Sequence, residues 1–185
     1  MNSPYEYPGL QVLVLFFCEP YRDFHLREIA KLAGVSPSTA KRFLDFYVDH
    51  GFLVRNRKVN LVMFRANIDS LVFRFMKLGY FMFRAETLIG FLKRAYEGSS
   101  VVLYGSCARG EDDSASDVDL LVVGRKTRKV DLSRFEKKLN RKVTVLAYTS
   151  SEWKEKAKVD KPFYERILVD GIVLVGNIPV VENET

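Results

Sequence analysis

V-V-L-Y-G-S-C-A-R-G-E-D-D-S-A-S-D-V-D-L-L-V-V, the stretch from Val101 to Val123, decides how this chain is read. An apolar run, Val101 to Tyr104, stops at Gly105-Ser106. Asp117 and Asp119 follow after ten intervening residues, and a second apolar run, Leu120 to Val123, begins at once. Both runs read as buried strands. Carboxylates at i and i+2 on a strand project from the same face. Side by side they repel unless a divalent cation sits between them. The Gly-Ser step ends the first strand and can open a short helix whose N–H groups cradle phosphate. A phosphate cradle facing a carboxylate pair is the layout of metal-dependent phosphoryl or nucleotidyl transfer.

The G-S-(ten residues)-D-x-D pattern between two hydrophobic strands resembles the nucleotidyltransferase superfamily related to DNA polymerase beta. Within it, G-S-C-A-R-G-E-D-D-S-A-S-D-V-D-L-L-V is most similar to the minimal nucleotidyltransferases, some of which act as antitoxins. The similarity covers roughly Ser99 to Gly176. It implies that Asp117 and Asp119 are the catalytic carboxylates and the ligands of Mg²⁺ (or Mn²⁺). It further implies that Gly105 and Ser106 bind the β- and γ-phosphates of an NTP such as ATP. Arg109, on the same turn, either clamps phosphate with its guanidinium fork or forms a surface salt bridge to Glu111 or Asp112. Family members carry a third carboxylate on the next strand. Here that strand is R-K-V-T-V-L-A, and the matching position is Thr144, whose hydroxyl neither ionises nor replaces a carboxylate's charge. Glu136, Glu152 or Asp160 are the acids left to reach in. Cys107 stands where several relatives have arginine. It is either an activated thiol at a helix start or a small packed residue.

The rest of the chain sets bounds. With 185 residues, 48% hydrophobic and 28% charged, it suits one domain or two small ones. A net charge of +6 favours an anionic partner. Cys18 and Cys107 form no metal-ligand spacing and read as free thiols in a reducing compartment. Met1 to Pro8 lacks the form of a signal peptide, and the most apolar window, Leu71 to Leu92, contains Arg74, Lys77, Arg84 and Glu86. No membrane partner and a cytoplasmic location are expected.

The N-terminal third is read from its punctuation. Residues 9–19 fit strand or buried helix by periodicity, and the helical pattern that follows favours helix. H-L-R-E-I-A-K-L-A, His25 to Ala33, is amphipathic and ends at Gly34. Ser36-Pro37 then supplies an N-cap and a first-turn proline for a second helix that stops at Gly51. Gly51 to Asn67 reads as a β-hairpin turning between Asn56 and Asn60. Together these resemble a winged helix-turn-helix domain. Ser38, Thr39, Lys41 and Arg42 would meet base edges and phosphates, and Arg55, Arg57 and Lys58 in the wing would meet backbone phosphates of duplex DNA. The alternative is a solvated surface used for protein contacts.

Asn67 to Glu97 reads as one long helix, apolar on several sides, with phenylalanines at 73, 75, 81, 83 and 91. It is expected to pack against a second copy in a homodimer, the alternative being between the domains. The fold class is therefore α/β, of the α+β kind. It divides into a winged helix-turn-helix domain (1–67), a linking helix (68–98) and a nucleotidyltransferase domain (99–185) with a small mixed sheet flanked by helices. The tail from Ile178 to Thr185 is expected to be loose. Three functions fit: transfer of a nucleoside monophosphate to an unidentified acceptor, a DNA-binding regulator with a weakened, nucleotide-sensing transferase domain, or an antitoxin whose partner is a toxin protein.

Overall fold

The computed structural model describes residues 7–124 and 129–181. The chain gathers into two compact units, Met1–Lys77 and Leu78–Thr185. None of the helices among the described residues is long and apolar enough to cross a membrane.

In the first unit the expected punctuation forms the elements. α1 (Pro8–Cys18) is helical, with Val12, Leu13, Phe16 and Phe17 buried. The short strand β1 (Phe24–His25) leads into α2 (Leu26–Leu32), whose start is capped by the His25 ring accepting from the Glu28 N–H. α3 (Pro37–Asp49) begins where expected. The Ser36 hydroxyl accepts from the Thr39 N–H at 3.1 Å, satisfying a donor that the first turn leaves without a helical partner. Ala40, Leu44 and Tyr47 point inward, and the Tyr47 hydroxyl donates to the Gly9 carbonyl at 2.8 Å, pinning α3 to α1. β2 (Leu53–Lys58) and β3 (Leu61–Ala66) form an antiparallel hairpin, and β1 adds to the far side of β3, giving the order β1-β3-β2. Phe16 meets Phe24 edge to face at 5.3 Å in the core between helices and sheet.

The expected single helix over 67–97 is two: α4 (Leu71–Arg84) and α5 (Glu86–Ala95). They part at Ala85, whose φ of −85° and ψ of 1° leave helical geometry. Phe81, Ala85, Leu88, Leu92 and Tyr96 all belong to the second unit's core. Four-residue steps on a helix drift by about 40° each. The three-residue step from Ala85 to Leu88 turns the stripe back, so both helices keep one face on the same core. The five phenylalanines also differ in fate. Phe73 and Phe81 are buried, Phe75 and Phe83 are exposed, and Phe91 packs on Phe135.

The second unit is a four-stranded mixed sheet, order β6-β5-β4-β7. β4 (Ser100–Tyr104) is central and antiparallel to both β5 (Val118–Gly124) and β7 (Ile172–Val175); β5 is parallel to β6 (Val143–Thr149). A short helix, α6 (Gly105–Arg109), follows β4, and α7 (Ser133–Leu139) lies between β5 and β6. α8 (Ser150–Val159) and α9 (Lys161–Asp170) precede β7. Alternate residues divide the sheet. Val101, Leu103, Val118, Leu120 and Val122 pack with α5 and α7, whereas Val102, Leu121 and Val123 pack with Trp153 and Ile167. Covered on both faces, β5 reads as an apolar run from Leu120 to Val123. The tail is partly held, contrary to expectation. The Trp153 indole N–H donates to Pro179 O at 2.7 Å, and the Val181 N–H donates to the Tyr164 hydroxyl at 2.8 Å. The indole sits in a core and needs a polar partner, which Pro179 supplies; residues 182–185 lie outside the described residues.

The hairpin tip yields a stability prediction. Val59 has φ +54° and is 95% exposed. A β-branched residue gains no burial there and occupies left-handed backbone that costs L residues about 1–2 kcal/mol. Val59→Asn should raise stability by about 1 kcal/mol. An unchanged or lower urea midpoint for the intact chain would count against strain at this turn.

Candidate active site

The strand ends bring the chemistry together. β4 closes at Tyr104, which pairs with Asp119 across the antiparallel ladder, and Asp119 pairs in turn with Thr144 of β6. Gly105 follows with φ +75°, and a Cβ at that position would lie 2.8 Å from Asp119 Oδ2. Glycine is therefore required twice over, by backbone conformation and by the approach of a carboxylate. Ser106 lies in the first turn of α6, so Gly105, Ser106 and Asp119 share one corner of the sheet. Asp117 stands just before β5 and accepts from the Thr144 hydroxyl at 3.3 Å; Lys142 Nζ is 3.8 Å from the same oxygen, Oδ2.

Burial pushes the Asp119 carboxyl above its ordinary value. The Asp117 charge adds to that, while Arg141 and Lys142 oppose it. Tyr104, beside it, is pushed up to about 12 by burial, then by Asp119 and Tyr148, so its phenol keeps its proton at neutral pH. Two carboxylates and a hydroxyl are hard oxygen donors. With phosphate oxygens completing the shell, they suit Mg²⁺, which is commonly held by one or two carboxylates plus substrate. Among the described residues no group of three or more His, Cys, Asp or Glu side chains could hold a metal ion. The three acids left to reach in for Thr144 are engaged elsewhere. Glu136 accepts from the Val143 N–H, Glu152 completes a capping box with Thr149, and Asp160 caps α9 and pairs with Lys156.

Arg109 takes the salt-bridge alternative. Its Nε donates to Glu111 Oε2 at 2.7 Å, and a terminal nitrogen lies 3.8 Å from Asp170. It also lines a cavity of about 240 Å³ with Tyr104, Gly105, Phe163, Arg166 and Asp170. Cys107 is 1% exposed and packed in the core, which matches the small-residue alternative. Sequence reading overlooked Arg141, whose buried guanidinium holds Asp112 and the loop before Asp117, and also overlooked Arg166 and Phe163 of the cavity. Arg141's only local signal was a cation before a strand, which most often means a solvated one.

In the first unit, Ser38 and Thr39 sit in α3's opening turn, within 2.9 Å of the Ser36 hydroxyl. Lys41 and Arg55 converge on Asp45, joining α3 to β2. Lys58 pairs with Asp23 at 2.6 Å, and Arg42 lies over the Phe43 ring. Arg55 and Arg57, two apart on β2, share a face.

Asp119 also predicts a stability response. Its carboxyl binds a proton more tightly in the folded chain than in the unfolded one. The stability it contributes is therefore present below the ordinary Asp value and lost as pH rises through the raised one. Without divalent cation, Asp119→Asn should melt higher than wild type at pH 7, and the gap should close in acid. Mg²⁺ should raise only the wild type. Equal melting at pH 7 would show that the ionised carboxylate is not a burden.

No curated protein matches the chain. A family model does, over residues 85–175, which run from the break before α5 to the last residue of β7. That segment contains Gly105, Ser106, Asp117, Asp119 and Thr144, and the model it matches describes a nucleotidyltransferase domain.

Proposed function

We propose that the chain transfers a nucleoside monophosphate from an NTP, ATP in the first instance, to a hydroxyl-bearing acceptor, using Mg²⁺ or Mn²⁺. The observation that carries the reading is Asp119 held against Gly105, with Asp117 two residues before it on the Thr144 hydroxyl, within the matched segment. A divalent cation on these carboxylates would offset phosphate charge as the leaving pyrophosphate departs. Gly105 and Ser106 would hold the β- and γ-phosphates, and the cavity with Arg109 and Arg166 offers cationic donors beside them. Arg109 must exchange Glu111 for phosphate to take part.

Thr144 favours a second reading. At the register position beside Asp119 stands a hydroxyl that cannot accept the acceptor's proton. Such a domain binds nucleotide and turns over slowly, as a nucleotide-sensing regulator would. Calorimetry decides the site and labelled-nucleotide transfer decides the rate. ATP binding should require the cation, and Asp117→Asn with Asp119→Asn should abolish this metal-dependent binding while leaving the fold intact. Thr144→Asp should then raise transfer at least tenfold, about 1.4 kcal/mol of barrier. Unchanged nucleotide affinity in the double variant would sink the assignment.

We also propose that the first unit is a winged helix-turn-helix module that binds duplex DNA. Support comes from α2, a short turn and α3, followed by the β2–β3 hairpin. Ser38, Thr39, Lys41 and Arg42 lie on α3 or its opening turn, and Arg55, Arg57 and Lys58 lie on the hairpin's first strand. Lys41, Arg55 and Lys58 would trade their carboxylate partners for phosphate, so affinity should fall steeply with salt. Removing Arg57 should reduce the log–log slope by roughly 0.9. Absence of binding to genomic fragments at about 50 mM salt would assign this surface to protein contacts.

A further inference from the structure

Arg141 lies between α7 and β6, and its side chain is only 10% exposed. Nε donates to Ser116 O at 2.6 Å and Nη2 to Asp117 O at 3.1 Å. Nη1 donates to Asp112 Oδ2 at 2.6 Å and lies 3.6 Å from Cys107 Sγ on α6. The guanidinium carbon is 5.9 Å from the Phe81 ring centre. One planar fork thus ties together α6, the irregular segment 110–117 and the backbone of Asp117. That segment is folded on itself by turn bonds between Asp113 and Ser116, and its two last carbonyls, Ser116 O and Asp117 O, accept from this guanidinium. Asp112, itself 7% exposed at its side chain, compensates a charge that would be costly to bury alone.

We propose that Arg141, oriented by Asp112, is the positioning residue for the metal-binding carboxylates. It fixes the Asp117 backbone against α6 and so sets the spacing of Asp117, Asp119 and Gly105. The inference rests on the metal-dependent reading of the site and goes beyond it. The sign of the effect separates positioning from charge. As a cation near Asp119, Arg141 opposes a second cation electrostatically, so charge alone predicts tighter metal binding when it is removed. Positioning predicts weaker binding. Lysine in its place keeps the charge but cannot donate to three separate acceptors from one rigid plane.

The test is a Mn²⁺ titration of the full chain followed by electron paramagnetic resonance, with thermal melts run in parallel. Arg141→Lys and Asp112→Asn should each weaken Mn²⁺ binding about tenfold or more, the size seen when groups supporting metal ligands are removed. Lys142→Gln, which removes an exposed cation 3.8 Å from Asp117, should leave binding unchanged or tighter. Wild-type affinity in a folded Arg141→Lys, or tighter binding, overturns the proposal. If that variant does not fold, wild-type affinity in Asp112→Asn overturns it instead. Failure of the underlying reading looks different. Wild type and the Asp117→Asn, Asp119→Asn double variant would then bind Mn²⁺ equally, and the proposal would fall with the metal site.

Discussion

The site depends on one constraint, the register of three strands. Tyr104 opposite Asp119, and Asp119 beside Thr144, place the end of β4, the start of β5 and the start of β6 at one edge of the sheet. A slip of one residue between β4 and β5 would carry Asp119 to the opposite face and put Val118 or Leu120 over Gly105. The slip is blocked because β5 is buried on both sides. Val118, Leu120 and Val122 fill one core, Leu121 and Val123 the other. Hydrophobic packing thus aligns charged chemistry that it never touches.

That alignment works against the stability of the metal-free chain. Asp119 is drawn partly out of water and held near a second carboxylate, so its ionised form is disfavoured. A fold selected for stability alone would place an amide or an apolar residue there. Around the pair, the chain answers with cations at two depths. Arg141 is buried and spends its donors on backbone and Asp112, whereas Lys142 is exposed and approaches Asp117 from solvent. The same sign of charge serves two purposes, structural in one and electrostatic in the other.

The first unit handles charge differently. Asp45 accepts both Lys41 and Arg55, and Asp23 accepts Lys58, so three of its basic residues already have partners. Exposed pairs of this kind contribute little to stability. They are easily exchanged for another anion, as the proposed contact with duplex DNA requires.

Much of the architecture was readable residue by residue because its causes are local. Ser36-Pro37 caps α3, Gly34 and Gly51 close helices, and two apolar runs around Gly105-Ser106 and Asp117-Val118-Asp119 become β4 and β5. Those features depend on backbone conformation, period and spacing, all of which lie within a few residues. The break at Ala85, the choice of Phe81 over Phe83 for burial, the choice of Glu111 rather than phosphate or Asp112 for Arg109 and the burial of Arg141 were not readable. Each depends on which surface arrives from elsewhere in the chain. Arg141 reaches Asp112 across 29 positions of sequence, and a guanidinium's fate is set by whether an acid and carbonyls meet it away from water. Sequence by itself singled out the candidate residues for metal and phosphate; only tertiary structure decided which cation was taken inside beside them.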